Sequence, residues 1–148
     1  MRVLVQRSLD SSVSINENIV GKIDKGLVLL VGFTDGDNID NIKYLVNKVI
    51  NLRVFDDEFG VMNKSILEVG GSILSISQFT LYADCKHGNR PSFTESMGPQ
   101  RAEELYNYIA DSLRPQVKNL GLGVFGADMQ VSLINDGPFT VILDSAAI

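Results

Sequence analysis

Apolar and polar positions alternate from the second residue onward. "RVLVQRS" and "SVSIN" place every other side chain on one face, which is the period of a half-buried β-strand. "NEN" breaks the pattern as a turn. "IVGKI" and the nearly unbroken apolar run "GLVLLVGF" follow, so the chain opens in β structure. The period then changes: Ile39, Ile42, Leu45, Val46 and Val49 recur at helical spacing, which predicts a helix over 38–52 with Asp37 or Asn38 as its N-cap. "LRVFDDEFGVMN" predicts a strand, a turn and a return, and "GGSILSISQFTL" a strand entered through two glycines. Residues 83–98 form a polar loop, of a length that is uncommon in compact domains and often functional. Pro99 suits a first helical position, and Ala102, Leu105, Ile109 and Leu113 mark one face of a second helix that ends near "RPQ". The tail returns to strand in "MQVSLI" and "FTVILD".

Two helices among about eight strands, without strict alternation, predict an α/β fold: a mixed β-sheet or partial barrel with two main helices packed on one side. No linker or composition shift divides the chain, so residues 1–148 are expected to form a single domain. The sequence is 45% hydrophobic and 21% charged, enough apolar material for a real core. Charge appears already at Arg2, and no stretch holds the ~20 apolar residues of a membrane span. The expectation is a cytoplasmic protein with no membrane partner. The lone cysteine, Cys85, reads as a spare thiol. A net charge of −5 argues against broad wrapping of a nucleic-acid backbone. It leaves room for a small footprint, because "CKHGNRPSF" gathers Lys86, His87 and Arg90 in one loop.

Several motifs fall away on inspection. "GLGVFG" matches the dinucleotide fingerprint in form, but the strand-like "ADMQVSLI" follows it, so no helix N-terminus is available for a pyrophosphate; these glycines make a bend. His87 is the one histidine, which rules out a two-histidine metal site and leaves a Ser-His-Asp arrangement a single candidate base. The carboxylates of Asp56, Asp57 and Glu58 sit in a turn and face water. "SQFTLYAD" allows two readings. Simple alternation, which the pattern prefers, sends Phe79 and Leu81 to the core and Gln78 and Thr80 to solvent; the other reading uses polar side chains and free N–H groups at a strand end for ester hydrolysis. For "NDGP" the pattern favours a hairpin turn between two strands.

Taken together, "MRVLVQRSLDSSVSI", "GLVLLVGFT", "MNKSILEVGGSILSISQFTLYAD", "GNRPSF" and "GADMQVSLINDGPFTVILDS" resemble the D-aminoacyl-tRNA deacylase family in its bacterial and eukaryotic form, over essentially the whole chain. Two signatures carry the likeness: S-Q-F-T-L at Ser77 to Leu81, and N-x-G-P-x-T at Asn135, Gly137, Pro138 and Thr140. A related class acting on mischarged L-alanyl-tRNA has proline at the position of Ser77, so Ser77 places the chain on the D-aminoacyl side. Phe139 stands where many relatives have valine, at a variable position.

The resemblance implies hydrolysis of the ester between a D-amino acid and the 3′-terminal adenosine of tRNA, with no metal or organic cofactor. It also implies a homodimer in which Gly137-Pro138 of one subunit, held cis, enters the other subunit's pocket as a chiral filter. Main-chain atoms there would admit hydrogen and exclude a side chain in the L direction, so achiral glycine would leak through. Ser77, Gln78, Phe79 and Thr80 are the implied catalytic set. Water assisted by the terminal 2′-hydroxyl is the favoured nucleophile, with N–H groups near Phe79 and Thr80 binding the oxyanion. Arg7 is a candidate brace for Gly137-Pro138, although an exposed arginine at a strand end fits the pattern nearly as well. Met129 is a candidate neighbour of the adenosine or a core residue, and Arg90 a contact to the acceptor end. Two rivals remain: a non-stereospecific aminoacyl-ester hydrolase with Thr80 as nucleophile, and a non-catalytic protein that binds RNA ends.

Overall fold

A computed structural model describes residues 1–147. Strands β1 (Arg2–Ile15), β2 (Asn18–Ile23) and β3 (Gly26–Gly32) open the chain, followed by helix α1 (Ile39–Asn51) and the hairpin of β4 (Phe55–Asp56) and β5 (Met62–Lys64). A one-turn helix α2 (Ile66–Val69), strand β6 (Ser72–Ser77), a 3₁₀ turn at Phe79–Tyr82, helix α3 (Pro99–Leu113), β7 (Leu120–Leu122) and β8 (Gln130–Asp144) complete the main elements.

β1 is the axis. Its first half pairs antiparallel with β3, Arg2 opposite Gly32 through Ser8 opposite Gly26, and its second half with β2. Its other edge carries β8 almost end to end, from Arg2 opposite Asp144 to Ser14 opposite Gln130. β3 continues in parallel to β6, and β6 to β7. β7 then returns toward β2: the Asn119 amide donates to the Lys22 carbonyl at 3.1 Å, and a Cβ at Gly21 would lie 2.6 Å from the Leu122 carbonyl oxygen. The sheet is thus a nearly closed barrel, as the pattern predicts.

Two cores follow from the curvature. Val13, Ile23, Val28, Leu74 and Ile76 fill the barrel interior. On the outer face, Val3, Val5, Leu27, Leu29 and Val31 meet Ile42, Leu45 and Val49 of α1 and Leu105 and Ile109 of α3. β3 is therefore covered on both faces, which is why its sequence is apolar throughout rather than alternating. Both main helices lie where the periodicity places them. Asn38, not Asp37, caps α1: its side chain accepts from the N–H groups of Asp40 and Asn41, and Asn41 answers at the Asn38 N–H. Asp37 instead binds the Met1 ammonium at 2.6 Å and the Thr34 N–H at 2.8 Å. α2 goes beyond the two helices expected. Its capping box, Ser65 with Glu68, is nonetheless spelled out in "SILE".

The hairpin expected at "NDGP" is not formed. β8 runs straight through residues 130–144 on one neighbour. Between Asn135, opposite Ser8, and Thr140, opposite Gln6, the residues Asp136, Gly137, Pro138 and Phe139 face only Arg7. The surplus bulges out of the ladder and pairing resumes on the same strand. In a hairpin the two halves would pair with each other; here β1 is long enough to template both halves instead.

α3 is tied to the sheet by the Tyr106 hydroxyl, which donates to the buried Ser75 carbonyl at 2.7 Å. Burial pushes the Tyr106 phenol from 10.0 up to about 12. A group with a raised folded pKa adds stability that is intact below its unfolded value and lost as pH climbs through the folded one. We therefore expect unfolding free energy to fall as pH rises from about 10 to about 12. Urea titrations across that window should show a shallower decline for Tyr106→Phe; an identical slope would mean Tyr106 is not what couples stability to pH there.

Candidate active site

β6 ends at Ser77 because the chain bends away from the sheet there. The Gln78 N–H makes the last ladder bond, to the Val31 carbonyl at 2.7 Å, and the next four residues wind into the 3₁₀ turn. Simple alternation is therefore overturned for "SQFTL". Phe79 is 56% exposed instead of buried, and Leu81 is half-buried. A helical first turn leaves its leading N–H groups without internal partners. The N–H groups of Phe79 and Thr80 are in that position and find no acceptor among the described residues. The Gln78 side-chain amide donates to Thr80 Oγ1.

Beside this turn lies a cavity of about 510 Å³, within the range of small-ligand sites. Val31, Phe33 and Ile76 come from the strand ends, Met97 and Ala102 from the approach to and first turn of α3, and Ser77, Gln78 and Phe79 supply its polar side. Met129 also lines it, as do Phe125 and Gly126 from the "GLGVFG" stretch, whose first two residues belong to β7 and whose end turns, with Gly126 at φ +77°. The long loop is not free. Ser96 Oγ donates to the Phe79 carbonyl at 3.0 Å, Thr34 Oγ1 to the Glu95 carbonyl at 2.6 Å, and Arg2 Nη1 to the Leu81 carbonyl at 2.9 Å. Because the Phe79 carbonyl and the Thr80 N–H share one planar trans peptide, Ser96 also fixes the direction of that N–H.

The second signature forms a separate cluster. The Gly137-Pro138 peptide is cis, and both residues are exposed at the bulge. Arg7, only 13% exposed, donates through Nε to the Asp136 carbonyl at 2.9 Å and through Nη1 to the Val54 carbonyl at 2.6 Å. It is not the exposed strand-end arginine that the pattern allows. The Phe139 N–H donates to Asn135 Oδ1 at 2.7 Å, and the amides of Asn135 and Gln6 both donate to Thr140 Oγ1, at 3.0 and 3.1 Å. Neither Gly137 nor Pro138 lines the cavity of its own chain. From Val131, which does line it, to Gly137 the strand travels on the order of 20 Å.

Arg90, Lys86, His87 and Cys85 are exposed on the long loop. Asp57 closes the β4–β5 turn by accepting from the N–H groups of Phe59 and Val61, which hold its carboxyl below the usual range. Among the described residues no group of three or more His, Cys, Asp or Glu side chains is placed to hold a metal. No helix among them is long and apolar enough to cross a membrane. Phe33, Met97, Ala102 and Phe125 are cavity residues that pattern reasoning missed, since each looks like an ordinary core position in its own element.

Residues 4–144 match the family model described as D-Tyr-tRNA(Tyr) deacylase. The chain belongs to that family of hydrolases. Its relatives include proteins named D-aminoacyl-tRNA deacylase in Clostridium acetobutylicum, 49% identical over 145 residues, and Clostridium novyi, 51% identical; each match spans 98% of this chain and 97% of the relative. A solved structure titled c-Myc DNA Unwinding Element Binding Protein superposes with a TM-score of 0.87 at 36% identity, over 97% of this chain and 98% of that one. A probable eukaryotic D-amino acid tRNA deacylase shares the fold, with a TM-score of 0.83 at 17% identity over 96% and 97% of the two chains.

Gly137 sits at φ +145°, and a Cβ there would meet the Phe139 nitrogen at 3.0 Å and Arg7 Nη2 at 3.1 Å. Gly137→Ala should therefore cost about 1–3 kcal/mol in urea unfolding. A neutral effect would mean that the Arg7 brace yields freely.

Proposed function

We propose that the chain hydrolyses the ester joining a D-amino acid to the 3′-terminal adenosine of tRNA, releasing the amino acid and free tRNA. The observation that carries this reading is the pair of N–H groups at Phe79 and Thr80, unpartnered among the described residues, in a turn whose Phe79 lines a largely apolar cavity. Two fixed donors at one point are what a tetrahedral oxyanion needs. An aminoacyl ester is already activated, so positioning and oxyanion binding suffice without a strong base. Thr80 Oγ1 receives a hydrogen bond from Gln78 and, among the described residues, has no histidine or carboxylate bonded to it, which favours water, aided by the terminal 2′-hydroxyl, over a threonine nucleophile. The apolar cavity takes the amino-acid side chain, Met129 flanks the adenosine, and Arg90 reaches the acceptor phosphates.

Handedness is decided by a second copy of the chain. Gly137 and Pro138 project from the surface, are braced by Arg7, Asn135 and Thr140, and lie too far from their own cavity to act there. β8 has no strand partner beyond β1 among the described residues, and Ile134 and Ile142 on it are 57% and 61% exposed. A long apolar edge of this kind is a surface for pairing. In the homodimer the partner's glycine, lacking a Cβ, brings main chain against the substrate's α-carbon. The carbonyls receive the α-ammonium, and the space left on the L side admits only hydrogen.

Two measurements test this. D-tyrosyl-tRNA should be cleaved more than about 200-fold faster than L-tyrosyl-tRNA, beyond what one methylene in a pocket achieves, with glycyl-tRNA cleaved rather than spared; equal rates for D and L substrates would return the assignment to a non-stereospecific hydrolase. Thr80→Val should retain turnover within about tenfold, whereas a threonine nucleophile would make it lose several orders of magnitude.

A further inference from the structure

Phe79 and Phe93 leave two aromatic rings in water at the mouth of the cavity, 56% and 41% exposed, and they touch edge to face with centroids 5.1 Å apart. Their position is held. The Asp84 and Ser92 backbones exchange hydrogen bonds at 2.8 and 2.9 Å, Ser92 and Thr94 hydroxyls lie 3.3 Å apart, and Ser96 is tied to the Phe79 carbonyl. A ring on a pinned loop loses little freedom when something stacks on it. Phe79 lines the cavity, whereas Phe93, in contact with it, does not.

From this we propose that the Phe79–Phe93 pair seats the nucleobase of the nucleotide that precedes the terminal adenosine. The inference rests on the deacylase reading above. The terminal nucleoside must lie over the cavity for its ester to reach the N–H groups of Phe79 and Thr80, so the base that meets Phe93 belongs to the next nucleotide. Aromatic stacking is the usual way a protein holds unpaired bases, and it tolerates any base because each has a π face. Charge is compatible: in a chain of net charge −5, the stretch between Asp84 and Glu95 carries Lys86 and Arg90 and no further carboxylate. The loop that carries Phe93 thus also offers cations to a phosphate of the same strand.

The test compares two substrates, D-tyrosyl-tRNA and 3′-O-D-tyrosyl-adenosine, the second of which lacks the nucleotide in question. Phe93→Leu keeps an apolar side chain and removes the aromatic face. It should raise KM for D-tyrosyl-tRNA about 5- to 100-fold with kcat within about twofold, leave KM for D-tyrosyl-adenosine unchanged, and be rescued by Phe93→Trp. The proposal is overturned by an equal change on both substrates, which would place the ring's effect inside the cavity, by no change on either, or by loss of the dimer on gel filtration, which would make the pair a seat for the second copy. Failure of the underlying reading looks different: the wild-type protein would then cleave neither D-aminoacyl substrate.

Discussion

The pairing of β1 with β8 is the constraint on which the rest of the molecule depends. One strand of 14 residues serves two neighbours on one edge and a single neighbour of 15 residues on the other. Because β8 stays paired with β1 on both sides of Arg7 while its register shifts there, the extra residues Asp136 to Phe139 have nowhere to go but outward. Arg7 turns that surplus into a fixed object. Its guanidinium occupies the space under the bulge and spans from the Asp136 carbonyl to the Val54 carbonyl near the start of the β4–β5 hairpin. Few side chains can do this: the planar fork supplies several donors in set directions, and a lysine would supply a single mobile point charge.

The same sheet explains the cavity. β3 and β6 are buried on both faces, so at their ends the chain must leave a fully covered layer, and the polar backbone released there needs partners. The Gln78 N–H still finds Val31, but the two N–H groups after it do not. They remain available because the 3₁₀ turn begins without a side-chain cap. Arg2 and Ser96 hold the turn through the Leu81 and Phe79 carbonyls, and Thr34 holds the loop through the Glu95 carbonyl, so these contacts leave both donors unused. On the proposed reading, donors fixed in this way would stabilise charge that develops during reaction without reorganising, so that the reaction would not call for a titrating side chain.

Much of this was legible in the linear pattern. The period of 2 in β1, the apolar run of β3 and the heptad-like spacing of α1 and α3 reflect local burial, which each segment encodes for itself. Asn38 as a cap and the turn at the end of "GLGVFG" are likewise local chemistry. Alternation failed at "SQFTL" because the segment leaves the sheet at Ser77, a decision made by where β3 ends rather than by Phe79 itself.

The sequence by itself determined the two helices, the β-rich barrel and, through the two signatures carried by Ser77 to Leu81 and Asn135 to Thr140, the family. Only the tertiary structure decided that "NDGP" is a bulge and not a hairpin, since a turn and a bulge have the same local preferences and differ in which strand lies opposite. It alone brought Phe33, Met97 with Ala102, and Phe125, from three distant segments, around one cavity. It also set Gly137 apart from that cavity, on a strand too stiff and too well paired to bend back toward it. Contacts between segments far apart in the chain depend on register and closure, and no single segment carries that information.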